Sequence, residues 1–154
     1  MRPPTALSLL LLLTTSTATA QLTGFTSSCK VETVKVEGRW LTAQCHNILG
    51  TETRCSKLDL NSCLKNNMGR LEDDVFGTGP HFTDRNQCIN CTNQKPAGGF
   101  IIGNGNAYTQ VNCQCNPGTG AAQANWPMTV IDLDDVVDNN NGVLECHGKK
   151  GTAC

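Results

Sequence analysis

The sequence predicts one small exported domain made of two copies of a strand, helical turn and strand unit, cross-linked by disulfides. Three observations predict this: an internal repeat, ten cysteines, and an N-terminus with the layout of a secretory leader. Residues 58–72, LDLNSCLKNNMGRLE, return at 131–145 as IDLDDVVDNNNGVLE, an offset of 73. Identities fall at Asp59/Asp132, Leu60/Leu133, Asn66/Asn139, Asn67/Asn140, Gly69/Gly142, Leu71/Leu144 and Glu72/Glu145, so turn residues and core residues repeat together.

The leader comes first in the chain. Arg2 supplies a positive start, residues 6–13 form an apolar run too short to span a bilayer, and Ala18-Thr19-Ala20 is a small-residue cleavage site ahead of Gln21. Residues 1–20 are therefore set apart from the fold as a signal peptide, and 21–154 are expected to form one domain. That mature chain carries 11 basic and 13 acidic side chains. It presents no electrostatic footprint for nucleic acid or anionic lipid, and no later run of 18 apolar residues for membrane insertion. Ten cysteines in an exported chain point to five disulfides, for which counting alone leaves on the order of 945 connectivities.

Taken in order, Phe25 anchors a small polar segment ending in Cys29, and Leu41, Ala43 and Cys45 alternate with Thr42 and Gln44 as a strand. In each repeat the alternation Leu58-Asp59-Leu60 or Ile131-Asp132-Leu133 is a strand end. Asn61 and Asp134 are the expected caps of the helical turn that follows. The chain then reverses at Asn66-Asn67-Met68-Gly69 and at Asn139-Asn140-Asn141-Gly142, where Asn and Gly tolerate positive φ. Gly77-Thr78-Gly79-Pro80 is the expected hinge between repeats. The second repeat echoes the first at His81-Phe82-Thr83, Cys88 and residues 111–115. It also carries an inserted glycine-rich segment, 98–105, that lacks the Lys and Ser/Thr of a phosphate loop.

Together, Gly24-Phe25-x-x-x-Cys29, Leu41-x-Ala43-x-Cys45, residues 58–61 with Asn66-x-x-Gly69-x-Leu71, and their second-repeat echo resemble the cyanovirin-N homology (CVNH) family, over roughly 24–146. The extra cysteines resemble exported members from filamentous fungi. The resemblance implies an all-β fold of two pseudosymmetric halves (about 24–75 and 81–146, with a polar tail at 147–154), each completed by a hairpin from the other repeat. It also implies a carbohydrate-binding function directed at mannose-rich glycans. The residues matching the family's first sugar site are Gly24, Ser27, Ser28, Ile48, Asn139, Asn140 and Asn141. For the second, Lys65, Asn66, Met68 and Asn116-Pro117-Gly118 stand at the corresponding positions, and Met68 replaces an acceptor with a thioether, so that site is expected to be lost or altered. The resemblance pairs Cys29 with Cys45 and Cys88 with Cys115. Cys113 shares a strand face with Cys115 and is left to Cys91, and elimination then gives the local pairs Cys55/Cys63 and Cys146/Cys154.

Other chemistries fit less well. Cys88-x-x-Cys91 with Cys113-x-Cys115 has a zinc-like ligand count but suits disulfides in an oxidising compartment. A calcium loop aligned on Gly142 would need carboxylates where Val137 and Gly148 stand. His46, His81 and His147 are scattered, and Asp59 and Asp132 read as turn-bonding residues rather than a catalytic pair. Trp40 and Trp126 read as core residues, and Asn90-Cys91-Thr92 is a glycosylation sequon at Asn90. The expectation is a secreted, non-enzymatic lectin that needs no cofactor or metal. It would bind oligosaccharide or glycoprotein glycans and exist as a monomer or a domain-swapped dimer. The competing expectation is an exported effector that has lost sugar binding and uses the 98–105 loop against a protein.

Overall fold

A computed structural model describes residues 24–84, 87–93 and 108–154. The leader at 1–20 and the glycine-rich segment 98–105 lie outside the described residues. Twelve strands are described: β1 Cys29–Glu37, β2 Trp40–His46, β3 Thr53–Asp59, β4 Leu64–Asn67, β5 Arg70–Asp73, β6 Cys88–Thr92, β7 Gln110–Cys115, β8 Met128–Asp132, β9 Asp138–Asn140, β10 Val143–Cys146, β11 Lys149–Lys150 and β12 Thr152–Ala153. Four short 3-10 turns are described beside them, and the fold is all-β, as the family resemblance implies. A seven-stranded sheet runs β12-β3-β2-β1-β6-β7-β8, beside a β11-β10-β9 sheet and the β4-β5 hairpin.

The period-2 pattern positions the core. Leu41, Ala43 and Cys45 of β2 point inward, and Leu41 lies opposite Leu58 of β3. In β7 Val111, Cys113 and Cys115 do the same, with Val111 opposite Ile131 of β8. Phe25 and Phe82, fully buried at the start of each half, join Leu60, Leu64, Leu133, Val137 and Leu144 in one cluster. β1 is a strand that comparing the repeats does not reveal. Its register shifts between Lys30 and Lys35, which leaves only Val34 and Val36 as a buried alternating pair in its second half.

Each half borrows a hairpin from the other repeat. β5 packs on β7 and β8, where the Leu71 amide donates to Thr129 Oγ1 at 3.0 Å; β10 packs on β3 and β2, where the Leu144 amide donates to Ser56 Oγ at 2.9 Å. These two bonds occupy equivalent positions in the two repeats, so the exchange is symmetric down to single hydroxyls.

The helical turns form where expected, at Leu60–Ser62 and Leu133–Asp135, but their caps are one pair of residues earlier. Asp59 Oδ1 accepts from the Asn61 amide at 3.1 Å, and Asp132 Oδ1 accepts from the Asp134 amide at 3.0 Å. Asn61 and Asp134 look across the molecule instead. Asn61 Oδ1 accepts from the Thr83 amide and hydroxyl, and the Asp134 carboxylate accepts from those of Thr26. These carboxylate and amide side chains thereby fasten the segment opening each half to the turn of the opposite repeat. Trp126 is buried with its Nε1–H on the Ala121 carbonyl, whereas Trp40 is half-exposed, with Arg39 and Lys57 cations at 4.8 and 4.5 Å from its ring centre; the core reading holds for Trp126 alone.

All ten cysteines are bonded. Cys29–Cys45, Cys88–Cys115 and Cys91–Cys113 pair as expected, but the remaining four form Cys55–Cys154 and Cys63–Cys146 rather than local loops. The reason is the pleat of β3. Ser56 and Leu58 point inward, so Cys55 points outward, while Cys63 beyond the strand is fully buried. Cys63 meets the equally buried Cys146, and outward Cys55 meets exposed Cys154. The tail is thus tied back through Cys154, with β12 closing the edge of β3.

Candidate functional site

The site is built around the β9–β10 turn. Asn140 lies opposite Val143, and the two residues between them, Asn141 (φ 55°) and Gly142 (φ 88°), both adopt positive φ. This is the two-residue reversal that an Asn-Gly pair favours. Asn139 locks it in place. Its Oδ1 accepts from the Gly142 amide at 2.8 Å, and its Nδ2 donates to Ser28 Oγ at 2.9 Å and to the His46 carbonyl at 2.8 Å. Every polar group of that amide is used inside the protein. Asn139 therefore joins the borrowed hairpin to the N-terminal segment and to the end of β2.

Asn141 performs the next link. Its Oδ1 accepts from the Ile48 amide at 3.0 Å, tying the turn to the loop between β2 and β3. That loop is held by Asn47, whose carbonyl accepts from Gly50 and whose side chain accepts from the Thr51 and Glu52 amides. Ser28, the end of β2 and Ile48 are thus joined to the 139–142 turn, while the exposed Ser27 beside Ser28 donates its hydroxyl to the Gly24 carbonyl at 3.0 Å. Two expected site residues have other work. Gly24 is buried at φ 69°, where a Cβ would fall 2.4 Å from Asp134 Oδ1, so it provides a close approach of chains. The Asn140 side chain donates to Glu145 Oε2 at 2.7 Å, along its own hairpin.

The other half repeats the scaffold but not the surface. Asn66 Oδ1 accepts from the Gly69 amide at 2.9 Å, its Nδ2 bonds the Gln87 and Asn116 carbonyls, and Asn67 bonds Glu72 as Asn140 bonds Glu145. In place of Asn141 stands Met68, at φ 48° and 82% exposed, and Pro117 lies against Gly69. The amide that links turn to loop in the first half has no counterpart in Met68.

A separate cavity of about 460 Å³ is lined by Asp73, Asp134, Asp138, Glu145 and His147 together with Val75, Val136 and Val137. Burial pushes the Asp138 carboxyl above its ordinary value of 3.8, and the Glu145 and Asp134 carboxylates raise it further against the opposing pull of His147. A raised folded-state value means that Asp138 favours folding while protonated and loses that contribution as pH rises through its folded pKa. Asp138→Asn is therefore expected to raise the melting temperature at pH 7, with the difference vanishing below pH 3.8; thermal unfolding at both pH values checks it.

The sequon residue Asn90 is exposed, with its Nδ2 on Gln114 Oε1 at 2.8 Å and its neighbour Cys91 in a disulfide. Among the described residues no group of His, Cys, Asp and Glu is arranged to hold a metal ion, and no helix is long and apolar enough to cross a membrane.

Two exchanged hairpins on a disulfide-bonded sheet, with a polar turn of each hairpin held at the end of the opposite half, define a two-repeat β domain. The chain belongs to the CVNH domain family, whose match spans residues 25–145. The comparison with curated proteins finds no match. Among solved structures the chain is similar to Gibberella zeae CVNH, at 22% identity and a TM-score of 0.57, covering 79% of this chain and 95% of that one. A designed cyanovirin-N homolog lectin gives 22% identity and 0.57, covering 80% and 98%. A MoCVNH3 variant, solved in complex with (N-GlcNAc)4, gives 16% and 0.57, covering 79% and 95%.

Proposed function

We propose that the protein is a secreted, non-catalytic lectin: a signal peptide at 1–20 and a single CVNH domain at 21–154. Its ligands are mannose-containing oligosaccharides. The working face is formed by Ser27, Ser28 and the Asn141–Gly142 part of the turn, with Asn139 holding these elements together from behind. The observation that carries this reading is the Asn139 and Asn141 lattice, which fixes two backbone turns and the N-terminal segment at one exposed place. Sugar hydroxyls require convergent donors and acceptors held in advance, and turn amides, serine hydroxyls and an asparagine amide supply both. A relative solved with a bound GlcNAc tetramer adds support for glycan recognition on this fold. The second half is inactive in this reading, because Met68 places a thioether where the first half has an amide. Asn90 is exposed and serves as a glycosylation acceptor.

Calorimetric titration of the mature protein, disulfides intact, with high-mannose oligosaccharides tests the reading. One site per chain is expected, with binding lost in Asn141→Ala while the melting temperature stays within a few degrees of the parent. A second reading, an effector that binds protein through this scaffold, is favoured by the exposure of Ile48 and Leu49. Absence of heat with any mannose ligand, from protein shown to be folded, would turn the assignment that way.

A further inference from the structure

Ile48 and Leu49 are 87% and 78% exposed, two adjacent large aliphatic side chains on the surface. Their loop is not loose. Asn47 bonds across it to Gly50, Thr51 and Glu52, and Asn141 Oδ1 holds the Ile48 amide from the neighbouring hairpin. Ile48 is therefore a preformed apolar projection standing directly beside Asn141. The Asn141 side chain, whose Oδ1 accepts from the Ile48 amide, also carries an Nδ2 donor beside that projection. A hydroxyl-only sugar can set only ring C–H groups against an aliphatic knob. An acetamido group matches the knob and the donor together, since its carbonyl oxygen accepts one hydrogen bond and its methyl covers apolar surface.

We propose, resting on the carbohydrate reading above, that Ile48 and Asn141 form a subsite for the acetamido group of an N-acetylhexosamine. The preferred ligand is then a mannose oligosaccharide that also carries an N-acetylhexosamine, rather than one built from mannose alone. Leu49 extends the apolar wall along the same loop. The second half has no such subsite, since Met68 stands in the place of Asn141 and presents no donor.

The test compares a mannotriose with the same mannotriose bearing one terminal N-acetylglucosamine, titrated into the mature, disulfide-intact protein. Covering one methyl group and making one hydrogen bond should give about a tenfold gain for the acetylated ligand. Ile48→Ser, which removes the knob, probes the subsite. It is expected to bring the ratio of the two affinities close to one, with circular dichroism and melting temperature confirming the fold. Equal affinity of the parent for both ligands, or a tenfold ratio persisting in Ile48→Ser, would overturn the subsite alone. Binding of neither ligand by the folded parent would overturn the carbohydrate reading on which it rests.

Discussion

Replacing Cys55, Cys63, Cys146 and Cys154 together by alanine is expected to cost roughly 7 kcal/mol and to leave the domain largely unfolded at 37 °C. The two bonds are nested: Cys55–Cys154 closes a separation of 99 residues and Cys63–Cys146 one of 83 inside it. With either bond in place, the other closes a ring of only about 18 residues, so removing one pair should cost about 3 kcal/mol by its effect on the unfolded chain. With neither, a long loop is released as well, at about 4 kcal/mol more. An ordinary domain is stable by about 5–15 kcal/mol, so the single losses are tolerable and the double loss is not. Urea unfolding of both double variants and of the quadruple variant measures the difference. The Cys55/Cys154 variant should also show the first tendency to associate, because it frees the tail strand that covers the edge of β3.

Asn139→Ala is expected to lower stability by about 2–3 kcal/mol, because three hydrogen bonds disappear and partly buried groups lose their partner. Asn66→Ala should cost at least as much, since Asn66 is buried and serves the corresponding turn with the Gly69 amide and the Gln87 and Asn116 carbonyls. Chemical denaturation of both variants checks the pair. The contrast with Asn141→Ala is informative. Loss of Asn139 should remove stability and glycan binding together, whereas loss of Asn141 should remove binding with little change in stability.

The fold was legible because a 73-residue offset repeats both core positions and turn positions. Leu60/Leu133 and Leu71/Leu144 marked the inward faces, and Asn-Gly and Met-Gly marked the reversals. What escaped was tertiary. Each repeat sets two Asx residues at the start of its helical turn, and nothing local distinguishes Asp59 and Asp132, which cap, from Asn61 and Asp134, which reach Thr83 and Thr26. The two long disulfides were missed although a signal existed: the alternation of Ser56 and Leu58 sets Cys55 on the outer face, which a local bond to a buried Cys63 cannot satisfy. At the candidate site, residues 139–141 were found as a group, but not that Asn139 works inside the protein while Asn141 ties down Ile48. That division depends on which hairpin reaches which half, and it becomes visible only when the β2–β3 loop and the β9–β10 turn lie side by side.

The most direct test of the account is residue-level mapping of the sugar on the molecule. Amide chemical shifts of the isotopically labelled mature protein would be followed by NMR during titration with a mannose-containing oligosaccharide. The account predicts saturable shifts concentrated at residues 27–28, 47–49 and 139–142, with residues 65–69 and 116–118 unmoved. Shifts confined to the second half, or a folded protein whose spectrum does not change with any mannose ligand, would contradict it.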